Sequence, residues 1–495
     1  MIAKKCAIGA TLLLCLMAPP AFATTITIVN NDGPGEGFND SSAPPADAGC
    51  APGETLGQCR QHVFQIAADN WAVLLNSAIE IKVTSQMNPQ TCSASGSVLG
   101  SAGAISTAAN FPNAPRTNVS YNIAEANALA GQDLDPGNND INATFNISID
   151  SGCAAGTVGW WYGTDPSVAI PTNRIGLLPV VFHELGHGLG FTSNTNPSTG
   201  AYFTSQPPIW ASYLFDTETG KLWKDMSNGE RVASTINDPN LVWTGPHTGV
   251  QAAAYLGPGP ALLIDFPLSL PSPNSVGTGA FGASIVAPGT SANLVRVDDG
   301  STDDGVGGNT ATINDGCQTP YVNASAVSGK IAFVDRGSCA FTVKAKNAQL
   351  NGAIGVVIAN VAASANPNTP PGMAGSDATI TIPAVSIAFP LGEQIRTVLG
   401  GGTAVGAIIS TARLSLTDGC VRLFAPSPVQ SGSSVSHFSP DATPNLLMEP
   451  AITATIFNKV DLTLPLFKDI DWPSNLEDFL FVDGFDANPC QHVQP

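Results

Sequence analysis

Alternating apolar and polar positions predict β-strands in the first third of the chain. Ile26 and Ile28 alternate with threonines, and the same period of two recurs in residues 79–83 and 145–149. Such alternation places every second side chain on one face of a sheet. After the first strand, a Thr-x-x-Gln capping box precedes apolar positions that share one face of a helix: Val63, Ala67, Trp71, Leu74 and Ala78. The pattern therefore predicts the order strand, helix, strand, strand.

An apolar run at residues 175–182 leads into the sequence His183-Glu184-Leu185-Gly186-His187, an H-E-x-x-H pattern. The run predicts a buried helix of about residues 176–190. Histidines four apart lie on one helix face, so both imidazoles can bind one zinc ion. Glu184 is rotated off that face and is the candidate general base. A buried helix with two satisfied histidines is the alternative.

A catalytic zinc site needs a third protein ligand and an open position for water. Four further histidines are present: His62, His247, His437 and His492. His437 is favoured because it precedes a Leu-Leu-Met-Glu-Pro sequence that contains Met448. His247 is an alternative without a nearby methionine turn. Glu218 or Glu230 would be the third ligand in a gluzincin, although neither lies in a convincing second helix.

The segments HELGHGLGF and SHFSPDATPNLLMEP together resemble the metzincin zinc proteases. They are most similar to the leishmanolysin-like branch, in which an insertion separates the second and third histidines. The resemblance implies that His183, His187 and His437 bind one zinc ion. It also implies that Glu184 activates water and that Met448 forms a hydrophobic floor. In the contiguous metzincin pattern the third histidine would fall at position 193, where this chain has a serine.

Residues 286–413 resemble the protease-associated (PA) domain in the segments GKIAFVDRGSCAFTVKAKNAQLNGAIGVVIAN and ITIPAVSIAF. Their pattern predicts strands near 330–337, 353–359 and 381–387 and helices near 341–350 and 390–399. The resemblance implies a non-catalytic α/β module that covers or presents substrate. Its position implies insertion at a surface loop, which is tolerable when the inserted ends lie close together.

The expected fold class is α+β: a zincin/metzincin-like catalytic domain interrupted by the α/β PA-like domain. Residues 24–285 and 414–473 are expected to form the catalytic domain, with a helix near 462–471. Residues 1–23 have the features of a secretory signal peptide, and residues 474–495 look like an acidic tail. The mature chain is therefore expected to be secreted, extracellular or periplasmic, without membrane insertion.

The charge of the chain argues against nucleic acid and anionic membranes as partners. The sequence has 19 basic and 38 acidic residues, and two of the lysines lie in the expected signal peptide. Eight cysteines would remain in an exported chain, which favours disulfides. The preferred pairs are Cys50–Cys59, Cys92–Cys153, Cys317–Cys339 and Cys420–Cys490. A zinc-blocking cysteine switch at Cys50 or Cys59 is the alternative.

Three further features each have two interpretations. Residues 143–149 are expected to be the strand beside the cleft that pairs with substrate, or else an interior strand. Three aromatic residues could line a specificity pocket, although core positions are favoured: Trp210, Tyr213 and Phe215. Paired aspartates are favoured as a solvated loop over a calcium site: Asp298, Asp299, Asp303 and Asp304.

These features together predict a secreted zinc endopeptidase that acts on protein or peptide substrates. Zinc would lower the pKa of a bound water, and Glu184 would accept its proton. Glu184 would then return the proton to the leaving amine. The alternative is an extracellular binding or adhesion protein that uses the PA-like unit on a weakly active zincin scaffold. The sequence carries no signal for an oligomeric state.

Overall fold

The computed structural model describes residues 24–93, 96–154, 156–303, 311–337, 339–452, 461–474 and 490. The expected signal peptide, Asp304, His492 and most of the expected tail therefore lie outside the described residues. The helices of the described chain are α1 (Leu56–Ala72), α2 (Ile123–Ala130), α3 (Leu177–Leu189), α4 (Asn228–Ser234), α5 (Pro246–Tyr255), α6 (Ala324–Val327), α7 (Phe341–Leu350), α8 (Phe389–Gly400) and α9 (Thr463–Asp469). Short 3-10 helices span Gly37–Asn39, Ile147–Ser151, Ile209–Ser212 and Trp223–Asp225.

The strands up to the third helix are β1 (Ile26–Asn30), β2 (Ile81–Asn88), β3 (Cys92–Ser93), β4 (Gly96–Ser97), β5 (Gly100–Ala104), β6 (Thr107–Ala109), β7 (Ser120–Asn122), β8 (Ile141–Asn146), β9 (Trp160–Trp161) and β10 (Ile175–Gly176). The later strands are β11 (Leu214–Asp216), β12 (Lys221–Leu222), β13 (Leu241–Trp243), β14 (Gly259–Phe266), β15 (Asn274–Ser275), β16 (Thr290–Arg296), β17 (Ile331–Asp335), β18 (Gly355–Ala359), β19 (Ala384–Ile387), β20 (Gly406–Ala412), β21 (Leu416–Thr417) and β22 (Cys420–Arg422).

The first sheet has the strand order β1-β2-β8-β5, with β5 antiparallel at the edge. Helix α1 packs against it, and the expected capping box is confirmed: Thr55 accepts from the Gln58 main chain while the Gln58 side chain caps Thr55. The indole N–H of Trp71 donates to the carbonyl of Phe182 at 2.9 Å. This contact joins α1 to α3, so the sheet, α1 and α3 share one core.

The expectation that residues 143–149 form the strand beside the cleft is wrong. Strand β8 lies between β2 and β5 and ends at Asn146, whose side chain accepts a hydrogen bond from the Ser148 N–H and starts a 3-10 helix. The interior alternative is the one observed. In this sheet the edge strand that lies against α3 is β5, made of glycine, alanine and serine.

A second sheet has the order β12-β11-β13-β22-β21. Beside it lie the three aromatic residues that were candidates for a specificity pocket. Trp210, Tyr213 and Phe215 are only 1%, 3% and 4% exposed, so they are core residues, as favoured. Within this sheet β13 pairs antiparallel with β22, which joins segments that flank the expected insertion: Val242 faces Arg422.

The inserted unit is built on a seven-stranded mixed sheet with the order β15-β14-β20-β16-β17-β18-β19. Strands β16 to β19 are parallel neighbours, and separate clusters of apolar side chains cover the sheet with α7 and α8. The sheet begins at Gly259, earlier than the expected boundary at 286, because β14 pairs antiparallel with β20: Gly259 faces Ala412. The two ends of the unit therefore leave it side by side.

All four expected disulfides are confirmed: Cys50–Cys59, Cys92–Cys153, Cys317–Cys339 and Cys420–Cys490. The cysteine-switch alternative does not hold, because Cys50 and Cys59 are bonded to each other. Among the helices of the described chain, none has the length and apolar content needed to cross a bilayer.

Candidate metal centre

Helix α3 is buried along its whole length. Its apolar residues face the sheet and α1, and Pro179 is tolerated because it lies in the first turn, where no intrahelical N–H bond is required. The helix places His183 and His187 on one face, one turn apart. Both imidazoles are nearly buried, with 5% and 9% exposure.

A sharp turn ends the helix directly after the second histidine. Gly190 has φ 143° and ψ −4°, a conformation that side chains disfavour, so a glycine is required here. The N–H of Phe191 returns to the carbonyl of Gly186 at 3.0 Å. The turn thereby directs the Phe191 carbonyl at Nδ1 of His187, 2.7 Å away.

The third imidazole of the cluster belongs to His437, which is 250 residues from His187 in sequence. The Nε2 atom of His187 lies 3.1 Å from that of His183 and 3.1 Å from that of His437. The remaining pair, His183 and His437, is 3.3 Å apart. These separations match the spacing of about 3 to 3.5 Å that ligands at zinc–nitrogen distances near 2.0–2.1 Å require.

The outer nitrogens of the three rings determine which tautomer each ring adopts. Nδ1 of His183 faces the carbonyl of Leu447 at 2.7 Å, Nδ1 of His187 faces Phe191, and Nδ1 of His437 faces Ser433 at 2.8 Å. A carbonyl oxygen only accepts, so each Nδ1 must donate its proton. In the neutral rings, each Nε2 then carries a lone pair, and the three lone pairs point at one another. A cation between them removes the repulsion, so the cluster fits a zinc ion.

Burial also keeps the three rings uncharged. It lowers the pKa of His183 to about 3, an effect to which His187 adds, and it lowers the pKa of His187 to about 4. Burial, followed by the two neighbouring imidazoles, places the pKa of His437 well below its ordinary value. Neutral imidazole is the form that binds a metal, so the cluster can bind a metal at neutral pH.

Backbone pairing explains how His437 reaches the helix. The chain leaves the inserted unit through β20, enters β22, and continues to Phe424, whose N–H donates to the carbonyl of His437 at 2.9 Å. Phe424 in turn accepts from the N–H of Val435 at 2.8 Å. The segment that exits the inserted unit therefore holds the main chain on both sides of this histidine.

Met448 packs against helix α3 next to Gly186. Its side chain is fully buried, and the Phe438 N–H donates to its carbonyl at 2.8 Å. A Cβ atom placed on Gly186 would lie 2.9 Å from the Met448 sulfur, so the close approach of the turn depends on this glycine.

Glu184 is placed on the side of the helix that faces strand β5. It is 8% exposed, and the main-chain N–H of Ala102 hydrogen-bonds to its carboxylate. Burial raises the pKa of Glu184 to about 8, and the Ala102 hydrogen bond opposes the rise. Sequence reasoning missed β5, because its run of Gly, Ser and Ala has no apolar alternation.

The competing ligand candidates lie elsewhere. Glu230 pairs with Lys221 and caps α4, and His62 contacts Glu54 at 3.2 Å. Among the described residues, one group of histidine, cysteine and acidic side chains has the spacing of a metal site: His183, His187 and His437. His247 and Glu218 are not part of it, nor are the aspartates of the candidate calcium loop that the structure describes: Asp298, Asp299 and Asp303.

Residues 291–395 match the family model described as PA domain. The inserted unit therefore contains a PA domain, which confirms that part of the expectation and makes the chain a mixed α/β protein with a PA domain. No curated protein matches the sequence significantly.

Several solved structures show limited similarity to the chain. BSAP, a zinc aminopeptidase from Bacillus subtilis, is 20% identical over 34% of this chain and 36% of that chain, with a TM-score of 0.22. An aminopeptidase from Aneurinibacillus sp. strain AM-1 is 22% identical, with coverages of 34% and 38% and a TM-score of 0.22. The subtilisin-like protease Apa1 from Pseudoalteromonas sp. AS-11 is 14% identical, with coverages of 35% and 35% and the same TM-score of 0.22. The chain thus spans little more than a third of each protein, and TM-scores this low carry no argument about activity.

Proposed function

We propose that this protein is an exported zinc-dependent endopeptidase of metzincin type. The observation that carries the proposal is the convergence of three buried imidazole Nε2 atoms within 3.1–3.3 Å of one another. In this proposal His183, His187 and His437 hold one zinc ion. The catalytic domain is formed by the segments on either side of the inserted unit.

The chemistry follows from the groups around this cluster. When bound, a zinc ion supplies Lewis acidity, which acidifies water and polarises a peptide carbonyl. Glu184 accepts the proton of the attacking water and returns it to the nitrogen of the leaving amine. Burial raises the pKa of Glu184 to about 8, and a cation held by the neighbouring histidines would lower that pKa and favour the carboxylate that accepts the proton.

Strand β5 supports an extended peptide as the substrate. Leu99 accepts from the Asn146 N–H at 3.0 Å, and Ile105 donates to the Asp140 carbonyl at 2.9 Å, so the odd-numbered residues of this stretch face β8. The main-chain groups of Gly100 and Ala104 and the carbonyl of Ala102 therefore point to the open edge, next to Glu184, while the Ala102 N–H points to the Glu184 carboxylate. A substrate strand that pairs there continues on both sides of the scissile bond, as an endopeptidase requires.

Cleavage of casein, and of internally quenched peptides blocked at both ends, tests this function. We expect cleavage by the wild-type protein, loss of cleavage with a chelator, and recovery with added zinc. The Glu184→Gln variant should bind zinc normally but cleave at least about a hundredfold more slowly, the usual contribution of a general base. Equal cleavage by the variant would refute the proposal and favour a binding protein on an inactive scaffold.

A further inference from the structure

The loop between His437 and Met448 is held by the inserted unit as well as by its own ends. At one end of the loop His437 belongs to the histidine cluster, and at the other end Met448 packs against helix α3. The loop therefore borders the candidate site on the His437 side. Within the loop, Pro440, Pro444 and Asn445 are exposed to solvent. What fixes the loop therefore shapes the surface that substrate residues meet.

Asp441 is the point at which three parts of the chain meet. Its Oδ2 atom accepts from Ser275 Oγ at 2.8 Å, and Ser275 belongs to strand β15 at the edge of the inserted sheet. The same oxygen lies 3.0 Å from Nη1 of Arg422, in the strand that leaves the inserted unit. Ser439 Oγ, in the loop itself, is 3.4 Å away.

The two partners of Asp441 that lie outside the loop, Arg422 and Ser275, are themselves firmly positioned. Arg422 is 5% exposed, and its guanidinium also bonds Asp238 and the carbonyl of Leu414. Its carbonyl accepts from the Ser439 N–H at 3.0 Å. Ser275 is paired in register with Ala261 of β14. Because the Arg422 guanidinium is already immobile, its charge-assisted contact fixes the position of the Asp441 carboxylate at little further cost in side-chain entropy.

A second contact holds the loop farther along. The N–H of Gly257, just before β14, donates to the carbonyl of Thr443 at 2.6 Å. A Cβ atom on Gly259 would lie only 2.3 Å from the Thr443 hydroxyl, so the incoming segment of the inserted unit runs directly against the loop. The loop is thus bonded to the incoming segment, to the sheet edge and to the outgoing strand.

We propose that the inserted PA-containing unit determines substrate selectivity by fixing this loop, with Ser275 and Asp441 as the positioning residues. This inference rests on the proposed peptidase function. The unit would thereby act on the active site itself, because the edge of its sheet positions the loop that substrate residues on the His437 side contact. His437 is held separately by Phe424 and Ser433. Leu447, which faces His183, is held by Asp461, so selectivity can change while zinc binding does not.

Substitutions at Ser275 test the inference. Ser275→Ala removes the hydroxyl that joins the sheet to Asp441, whereas Ser275→Thr keeps a hydroxyl. Ser272→Ala is the matched control, since the Ser272 hydroxyl accepts from the Ile264 N–H within the same unit. Each variant is assayed for zinc content and for kcat/KM on blocked peptides that vary on one side of the scissile bond.

We expect Ser275→Ala to change the ratio of kcat/KM between peptides that differ on one side by about two- to tenfold, the change that one net hydrogen bond supports. Zinc content should stay at the wild-type value, Ser275→Thr should restore the ratios, and Ser272→Ala should leave them unchanged. A uniform change across all peptides, or no change, would overturn the inference.

Hydrogen exchange provides a measurement that does not depend on activity. The amides of residues 441–443 and 445 should exchange faster in Ser275→Ala and in Asp441→Asn than in the wild type and in Ser272→Ala. If the wild type cleaves nothing but the loop still loosens in this way, the peptidase proposal fails and the positioning role stands. If the loop exchanges equally in all four proteins, the positioning role is wrong whatever the activity.

Discussion

Nδ1 of His183 donates to the carbonyl oxygen of Leu447 at 2.7 Å, across 264 residues of sequence. The N–H of Leu447 is in turn bonded to the carboxylate of Asp461, which also accepts from the N–H and hydroxyl of Thr463. Asp461 therefore fixes the residue whose carbonyl orients the first imidazole. Groups that orient a ligand in this way usually matter for metal affinity.

We expect Asp461→Asn to weaken zinc binding by about 10- to 100-fold, the usual effect of losing an orienting partner. The amide keeps the size of the side chain but provides one acceptor where the carboxylate provides two. Competition with a chromophoric chelator measures the affinity. Asp469→Asn is the matched control: Asp469 is also buried, but it bonds Trp243 and Thr248 away from the cluster. Equal affinities in the two variants would contradict the prediction.

Removing the third imidazole should abolish tight zinc binding. His437→Ala should fall from about one zinc ion per chain to almost none after dialysis, because two histidines alone do not complete a catalytic site. His247→Ala should retain zinc, since the structure uses the His247 main-chain N–H to bond Asp469 and leaves its ring outside the cluster. Elemental analysis of both purified variants decides the matter. Zinc retained by His437→Ala would show that another residue supplies the third ligand.

The contact between Gly186 and Met448 predicts an unusual response to alanine. In an exposed helix, replacing glycine by alanine usually stabilises by about 1 kcal/mol. At Gly186 the new methyl group would meet the buried Met448 sulfur, and overpacking costs about 1–3 kcal/mol. We therefore expect Gly186→Ala to be destabilising in urea unfolding. Gly229→Ala in α4, where a Cβ meets nothing within 4 Å, should be neutral or stabilising. A stabilised Gly186→Ala protein would show that Met448 can move aside without an energetic cost.

Glu449, beside the methionine turn, gives a pH-dependent prediction. Burial raises its pKa from 4.5 to about 7, with Asp461 and Asp441 adding to the rise. Between these pH values the folded protein holds a proton that the unfolded chain has released. The contribution of Glu449 to stability is therefore present below pH 4.5 and is lost as pH rises towards 7.

Glu449→Gln cannot lose this proton, so its stability relative to the wild type should rise with pH through that window, by at most about 1.4 kcal/mol per pH unit. Urea unfolding of the metal-free proteins at several pH values between about 5 and 8 measures it. Glu230→Gln is the control: Lys221 and Ser227 lower the pKa of Glu230 to about 2, so its difference from the wild type should stay constant over the same range. A constant difference for Glu449→Gln would contradict the prediction.

The histidine cluster could be predicted from the sequence because its converging nitrogens belong to side chains, whose identities the sequence gives. The H-E-x-x-H spacing places two ligands on a helix, and the sequence around Met448 indicated His437. The groups that orient the rings could not be predicted, since Leu447, Phe191 and Ser433 contribute main-chain carbonyls that any residue has.

The edge of the first sheet was predicted wrongly for a different reason. Residues 143–149 alternate like a strand at the surface, but β8 is covered by β5 on one side and β2 on the other. Strand β5 consists of small residues whose sequence has no β-pattern, and its position is set by pairing with β8 and packing against α3. The start of the inserted sheet was missed similarly, because Pro260 lies in β14 and proline disfavours a strand assignment.

The distance along the chain between His187 and His437 affects how the protein is made. With 250 residues between them, a ribosome adding about 5–20 residues per second needs roughly 10–50 seconds to deliver the third imidazole after the second. During that interval the nascent chain contains only two of the three imidazoles, so the histidine cluster cannot form. In the proposed peptidase, the zinc site can therefore be completed only after the whole PA-containing unit has been synthesised, so the growing polypeptide could not cut itself before then.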